Sequence, residues 1–223
     1  MKKYFFVGHS FIVFILAGNH LFAQSKFSSA YSFLNLPTSS FIAGTGGVNC
    51  SRLSRDPNVI FSNPALSSSL SEKNIALTYS YFLAGIRYGT SSYVFKFPRV
   101  DSLYLHAGFQ FVNYGNIEKT TKEGTVNGTF RAGDNLFIAG INKIRNNFHY
   151  GFNFKYVHSQ IAQYSSWGIL TDWGIVYHLP QRLFSCGLVV KNVGRQFKTY
   201  YHTNEDLPFE IQAGLTHKLA HMP

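Results

Sequence analysis

The stretch that most limits what this chain folds into is residues 148–179, FHYGFNFKYVHSQIAQYSSWGILTDWGIVYHL. Taken in steps of two, Phe148, Tyr150, Phe152, Phe154 and Tyr156 share one side. His149, Gly151, Asn153, Lys155 and Ser159 share the other, with Val157 as an apolar exception. After a polar break at residues 160–166 the pattern resumes. Trp167, Ile169, Thr171, Trp173, Ile175 and Tyr177 stand on one face, and Gly168, Asp172, Gly174 and His178 on the opposite one. Successive side chains of a strand point to opposite faces, so the stretch reads as two long, half-apolar strands joined by a loop. Each run has about ten residues or more, against roughly 5–6 in an ordinary strand and about 9–11 in a tilted membrane-crossing strand. Soluble sandwiches and lipocalin-like barrels also alternate, so this hairpin alone leaves both classes open.

Composition separates them. Of 223 residues only 13% are charged and 17% are aromatic, the charged share being about half that of ordinary soluble domains. Mean hydropathy nevertheless sits near zero. Helical membrane proteins are far more apolar, whereas a barrel with a polar lumen and an apolar exterior averages out in this way. The formal charge of +10 suits contact with anionic surfaces such as lipopolysaccharide head groups. Lys and Arg are scattered singly along strands and turns, so the basic cluster that nucleic-acid binding requires is missing.

Residues 1–24, MKKYFFVGHSFIVFILAGNHLFAQ, have a positive start (Lys2, Lys3), a short apolar core at 11–18 and a cleavage region at Ala23 and Gln24. They read as a signal peptide. An exported barrel is expected in a bacterial outer membrane. Export also permits disulfides, but Cys50 and Cys186 show neither C-x-x-C nor metal spacing, and two unpaired thiols are expected.

Residues 25–74 differ in kind from the rest of the chain. They lack alternation and are crowded with Ser, Gly, Asn and Pro, the mark of irregular backbone held by turns. They still carry apolar anchors: Tyr31, Phe33, Leu34, Leu36, Phe41, Ile42, Val59, Ile60, Phe61 and Leu66. Irregular backbone is tolerated at membrane depth where protein encloses it, which predicts a plug or rim segment. Gly44, Thr45, Gly46 and Gly47 lack the Lys-Ser/Thr ending of a phosphate loop, and turns needing positive φ explain them better.

Residues 75–223 read as barrel strands. Ile75, Leu77, Tyr79 and Tyr81 share a face, as do Tyr93, Phe95 and Phe97, and again Leu103, Leu105, Ala107, Phe109 and Phe111. Short turns near Pro98, Arg145 and Pro180 alternate with longer polar connections near Glu118, Gln163 and Tyr200, the rim asymmetry of outer-membrane barrels. The most polar connection reads as a long extracellular hairpin with its tip at Lys122, Glu123 and Gly124. Eight or nine strands are expected. A barrel must close or leave edges unsatisfied in lipid, and residues 217–223 supply no aromatic closing strand, so the barrel is expected to be incomplete at its C-terminus.

Residues 30–66 and 186–221 carry a resemblance. AYSFLNLPTSS, GTGGVN, the PNVIFSNPAL segment with Asn63, Pro64 and Ala65, CGLVVKNVGRQFKTY and LPFEIQAGLTHKLAH resemble the PorQ family of type IX secretion, outer-membrane proteins related to PorV and FadL-like barrels. The resemblance implies an all-β fold: an antiparallel transmembrane β-barrel of FadL-like kind with an irregular N-terminal plug. It implies a non-catalytic role without cofactors or metals. Partners would be PorZ-like, PorV-like and PorU-like proteins of the cell-surface attachment complex, where cargo is processed and joined to anionic lipopolysaccharide. The loop bearing Lys122, Glu123 and Gly124, with those near Tyr164 and Tyr200, is the expected contact surface.

Two other functions compete. His106, His149 and His178 fall on polar strand faces, and Asp172 shares a face with His178, which invites a hydrolase reading. No G-x-S-x-G or H-E-x-x-H accompanies them, and lumen groups bonded to one another explain them more simply. A FadL-like channel for hydrophobic compounds predicts an apolar pocket lined by Phe33, Phe41 and Phe61.

Overall fold

The computed structural model describes residues 29–201 and 205–218; the expected signal peptide and the last residues of the chain lie outside them. Eight strands follow in order: β1 (Ile75–Tyr81), β2 (Arg87–Lys96), β3 (Leu103–Thr120), β4 (Val126–Arg145), β5 (Phe148–Ile161), β6 (Tyr164–Leu179), β7 (Phe184–Lys198) and β8 (Glu210–His217). They form one antiparallel sheet in which each strand pairs with its neighbour in sequence. The sheet is open, with β1 and β8 at its edges. Among the described residues helix is confined to one α-helical turn, Ser40–Gly44, and short 3-10 turns. No helix among the described residues is long and apolar enough to cross a membrane.

The alternation read from the sequence sorts side chains as expected, but the buried face is the polar one. On β5 the odd-numbered residues His149, Asn153, Lys155, Val157 and Ser159 are buried, while Tyr150, Phe154 and Tyr156 are exposed. The outer face carries rings in contact from strand to strand. Phe109 meets Phe137, Phe137 meets Tyr156, Tyr156 meets Trp167, and Trp167 stacks on Phe197 at 4.9 Å. Phe148 and Tyr177, Phe152 and Trp173 pair further down the same face.

Residues 29–74 cover the inner face. Their backbone and side chains hydrogen-bond to every strand: Thr78 on β1, Tyr88, Thr90 and Ser92 on β2, Gln110 on β3, Asn142 on β4, Asn153 on β5, Ser166 on β6, Ser185 on β7 and Thr216 on β8. Turns inside the segment satisfy many of its amides, and the polar wall donates to carbonyls that these turns leave open, among them those of Pro37, Thr38, Ile60 and Ala65. The anchors complete the packing. Tyr31, Phe33, Leu34, Ile60 and Phe61 join Val94, Val112, Leu136, Ile138, Val157 and Leu170, and a second cluster unites Ile42, Val59, Ala65, Leu66 and Val176. Leu36 and Phe41 are half-buried beside them.

Two connections differ from expectation and one agrees with it. The break expected at residues 160–166 shrinks to a two-residue turn, because β5 and β6 stay paired to Ile161 and Tyr164. Ala162 takes the tight turn with φ 53°. The long hairpin expected around Glu118–Thr129 is the far end of β3 and β4, where Glu118 pairs with Thr129. The strand containing Cys186 runs on to Lys198, through polar residues that alternation alone reads as loop.

Candidate functional site

The most elaborate chemistry lies where residues 50–67 meet the inner face of β4–β8. Asn63 caps the 3-10 turn Pro64–Leu66, accepting from the Ala65 amide at 2.9 Å and donating to the Cys50 carbonyl at 2.7 Å. Asn63, Pro64 and Ala65 are buried, and what receives them is glycine. Gly151 on β5 lies opposite Gly174 on β6, and Gly187 on β7 opposite Gly214 on β8. A Cβ at Gly151 would overlap the Ala65 amide, at Gly174 the Asn63 carboxamide, at Gly187 the Cys50 carbonyl, and at Gly214 the Cys50 sulfur. Absence of side chains lets another backbone approach the sheet this closely. The two cysteines are free, Cys50 inside this seat and Cys186 less buried in β7.

Beside the seat runs a continuous polar network. Lys155 Nζ is 2.6 Å from Asp172 Oδ2, with both side chains almost fully buried. Lys155 also donates to Asn192 Oδ1 at 3.0 Å, and the Asn192 amide donates to Asp172 Oδ1 at 2.9 Å. This geometry depends on a bulge. Between the pairs Thr171–Val193 and Trp173–Val190, β7 has one residue more than β6. The extra residue turns both Lys191 and Asn192 inward, with Asn192 at φ 61°. Bulges re-aim side chains in this way, and Asn tolerates the left-handed region better than most residues.

From Asp172 the chain of bonds continues through Asn153 (3.0 Å) to His106 (2.7 Å) and Ser67 (3.1 Å). Hydroxyl, imidazole and orienting amide in series are the parts of a nucleophilic triad. Here Ser67, His106, Asn153 and Asp172 are all buried, exposed by no more than 2%. Ser67 also donates to the Pro64 carbonyl. The inner segment is packed on top, and the network ties Ser67 of that segment to β3, β5 and β6.

His178, grouped with Asp172 by the sequence, makes its ring contact with His149 instead, while Asp172 is engaged by Lys155, Asn153 and Asn192. Phe33, Phe41 and Phe61 are likewise separated. Phe33 lines an apolar cavity of about 400 Å³ with Leu36, Phe82, Ile86, Tyr88 and Val112. Phe61 lies over Gly108, and Phe41 lies under the Arg52 guanidinium at 5.0 Å. Lys122, Glu123 and Gly124 are exposed at the tip of the β3–β4 hairpin, which is closed by the Thr121–Thr125 backbone bond. Among the described residues no group of three or more His, Cys, Asp or Glu is placed to hold a metal ion.

The glycine seat, the ion pair and the Ser67–His106–Asn153 series escaped the sequence reading. Glycines and polar residues recurring on one strand face were visible there, but nothing in the linear pattern tells which backbone approaches them. No protein-family model matches this sequence, and no curated protein does.

Proposed function

We propose that this chain belongs to an outer-membrane β-barrel whose lumen is filled by its own N-terminal segment, and that it serves type IX secretion as a non-catalytic anchor of the cell-surface attachment complex. The observation that carries the membrane part is inverted polarity. Lys155, Asp172, Asn153 and Asn142 are buried inside, while Trp173, Phe137 and Phe154 stand exposed outside. Water penalises such an exterior, whereas a bilayer rewards it. An eight-stranded barrel has an interior just wide enough for its own side chains. With residues 29–74 on the inner face, closure takes more strands, in line with a barrel of the larger FadL-like kind.

The secretion part rests on the resemblance to the PorQ family around Asn63, Pro64 and Ala65 and in β7 and β8. It is supported by the long β3–β4 hairpin, whose residues 118–129 stand clear of the inner segment and offer Lys122, Glu123 and Gly124 to a PorZ-like partner. PorV-like and PorU-like proteins and anionic lipopolysaccharide would complete the assembly. Two measurements test the two parts. Heat-modifiable gel mobility in the outer-membrane fraction reports a closed barrel. Shortening residues 118–129 should release a PorZ-like protein from cells and impair joining of cargo to lipopolysaccharide; retained attachment would overturn the anchoring role.

A second reading, a FadL-like channel for hydrophobic compounds, is favoured by the apolar cavity around Phe33, Phe82 and Ile86. It predicts that deleting the protein slows uptake of a hydrophobic compound and leaves cargo attachment intact.

A further inference from the structure

At the rim that bears the long hairpin, the start of the inner segment, the base of that hairpin and the loop after β7 enclose a cavity of about 450 Å³. Its character is opposite to that of the chain. The protein has 20 Lys and Arg against 10 Asp and Glu, yet none of the described lining residues is Lys, Arg or His, and Asp134 and Glu205 both line it. The rest of the wall includes Tyr31, Tyr114, Tyr200 and Phe130.

Asp134 is 8% exposed. It accepts from the Tyr114 hydroxyl at 2.6 Å and from Ser159, to which Tyr200 donates in turn. These hydroxyls orient the carboxylate, and the one basic side chain that acts on it, His158, lies outside the described cavity lining. The ion pairs at Lys155–Asp172 and Lys191–Glu210 involve neither rim carboxylate. Burial first, and then the charges of Asp134 and Glu205, push the Tyr200 phenol up to about 12, so it remains a neutral donor. Tyr31 and Gln196 both bond to Ser166 and fix the opposite wall.

We infer that this rim cavity binds an organic cation, an ammonium or guanidinium head presented by a small amine or by a Lys or Arg side chain of a protein partner. Ring faces carry negative charge density and attract such heads. Asp134 and Glu205, the only charged side chains among the described lining residues, add the opposite charge, and the volume is that of an ordinary small-ligand pocket. A neutral apolar ligand would gain nothing from the carboxylates, and an anion would be repelled by them.

Calorimetric titration of the whole protein in detergent micelles with choline, and with its neutral tert-butyl isostere, tests the assignment. Choline should bind roughly tenfold more tightly than the isostere. Glu205→Gln, at an exposed position, and Tyr200→Leu should each weaken choline binding several-fold, while Tyr200→Phe retains it. Equal affinity for the isostere, or no choline binding, overturns the proposal and leaves a tyrosine cluster that only ties the inner segment to the wall. A lysine-bearing peptide that binds more tightly than the free lysine amide identifies a protein partner as the source; equal binding identifies a small amine. Both results rest on the cavity alone and stand whether or not the hairpin anchors the attachment complex.

Discussion

One step along β5 and β6 changes everything about a side chain's surroundings. Phe152 and Trp173 are partners across the two strands, their rings 4.7 Å apart on the outer face. The next pair, Asn153 and Asp172, is joined by a 3.0 Å hydrogen bond inside, under the backbone of Ile60. The same backbone thus separates an exposed apolar wall from a buried polar one. In water this arrangement is backwards: polar groups need satisfied partners when buried, and exposed rings gain nothing. The inner face meets the first requirement through its own N-terminal segment. The outer face leaves its rings exposed, and the proposed bilayer is what would cover them.

The inner face can be broken most severely at its ion pair. Lys155→Met should lower stability by about 3–5 kcal/mol, because it strands Asp172 as an unpaired buried charge. Adding Asp172→Leu should recover much of that loss, as measured by denaturant midpoints in micelles. A double variant no more stable than Lys155→Met would show that Asp172 is held mainly by Asn153 and Asn192.

The outer face is tested by Phe154→Arg. In lipid vesicles a charge at this depth should cost about 2–4 kcal/mol, whereas on a water-facing surface the change would stay within about 0.5 kcal/mol. Folding yields into vesicles decide between them, and the smaller value would sink the membrane assignment.

Contact between the inner face and its filling is sharpened at glycine. Gly174→Ala places a methyl group where the Asn63 carboxamide lies, and Gly151→Ala one against the Ala65 amide. Each should cost about 1–3 kcal/mol through overpacking and make residues 50–67 more accessible to protease. Gly44→Ala, with no neighbouring atom within 4 Å, should be silent. The smallest effect belongs outside both faces: Lys122→Ala with Glu123→Ala at the exposed hairpin tip should shift stability by less than about 0.5 kcal/mol. A PorZ-like partner's binding is the readout expected to change there.

Alternation made the strands legible because a half-buried strand has period two, and rings every second residue mark its outer face. The N-terminal segment was legible by the opposite sign, its lack of period and its Ser, Gly, Asn and Pro. The turn at Ala162 was not, since a left-handed alanine looks like any other in sequence and polar residues at the strand ends imitate a loop. The end of β7 was hidden in the same way, Arg195 and Lys198 being strand residues beyond the apolar band.

What the sequence determined by itself, then, is an all-β chain with one aromatic and one polar strand face, preceded by irregular backbone with apolar anchors. The sequence also leads to the expectation of a polar interior; only the tertiary structure decided which residues of the N-terminal segment meet which strand. That Asn192 meets both Lys155 and Asp172 depends on one extra residue in β7, and that Asn63 finds Gly174 depends on a chain arriving from more than a hundred positions away. Neither is encoded in a period, because a strand pattern specifies the direction of a side chain and not the partner that meets it.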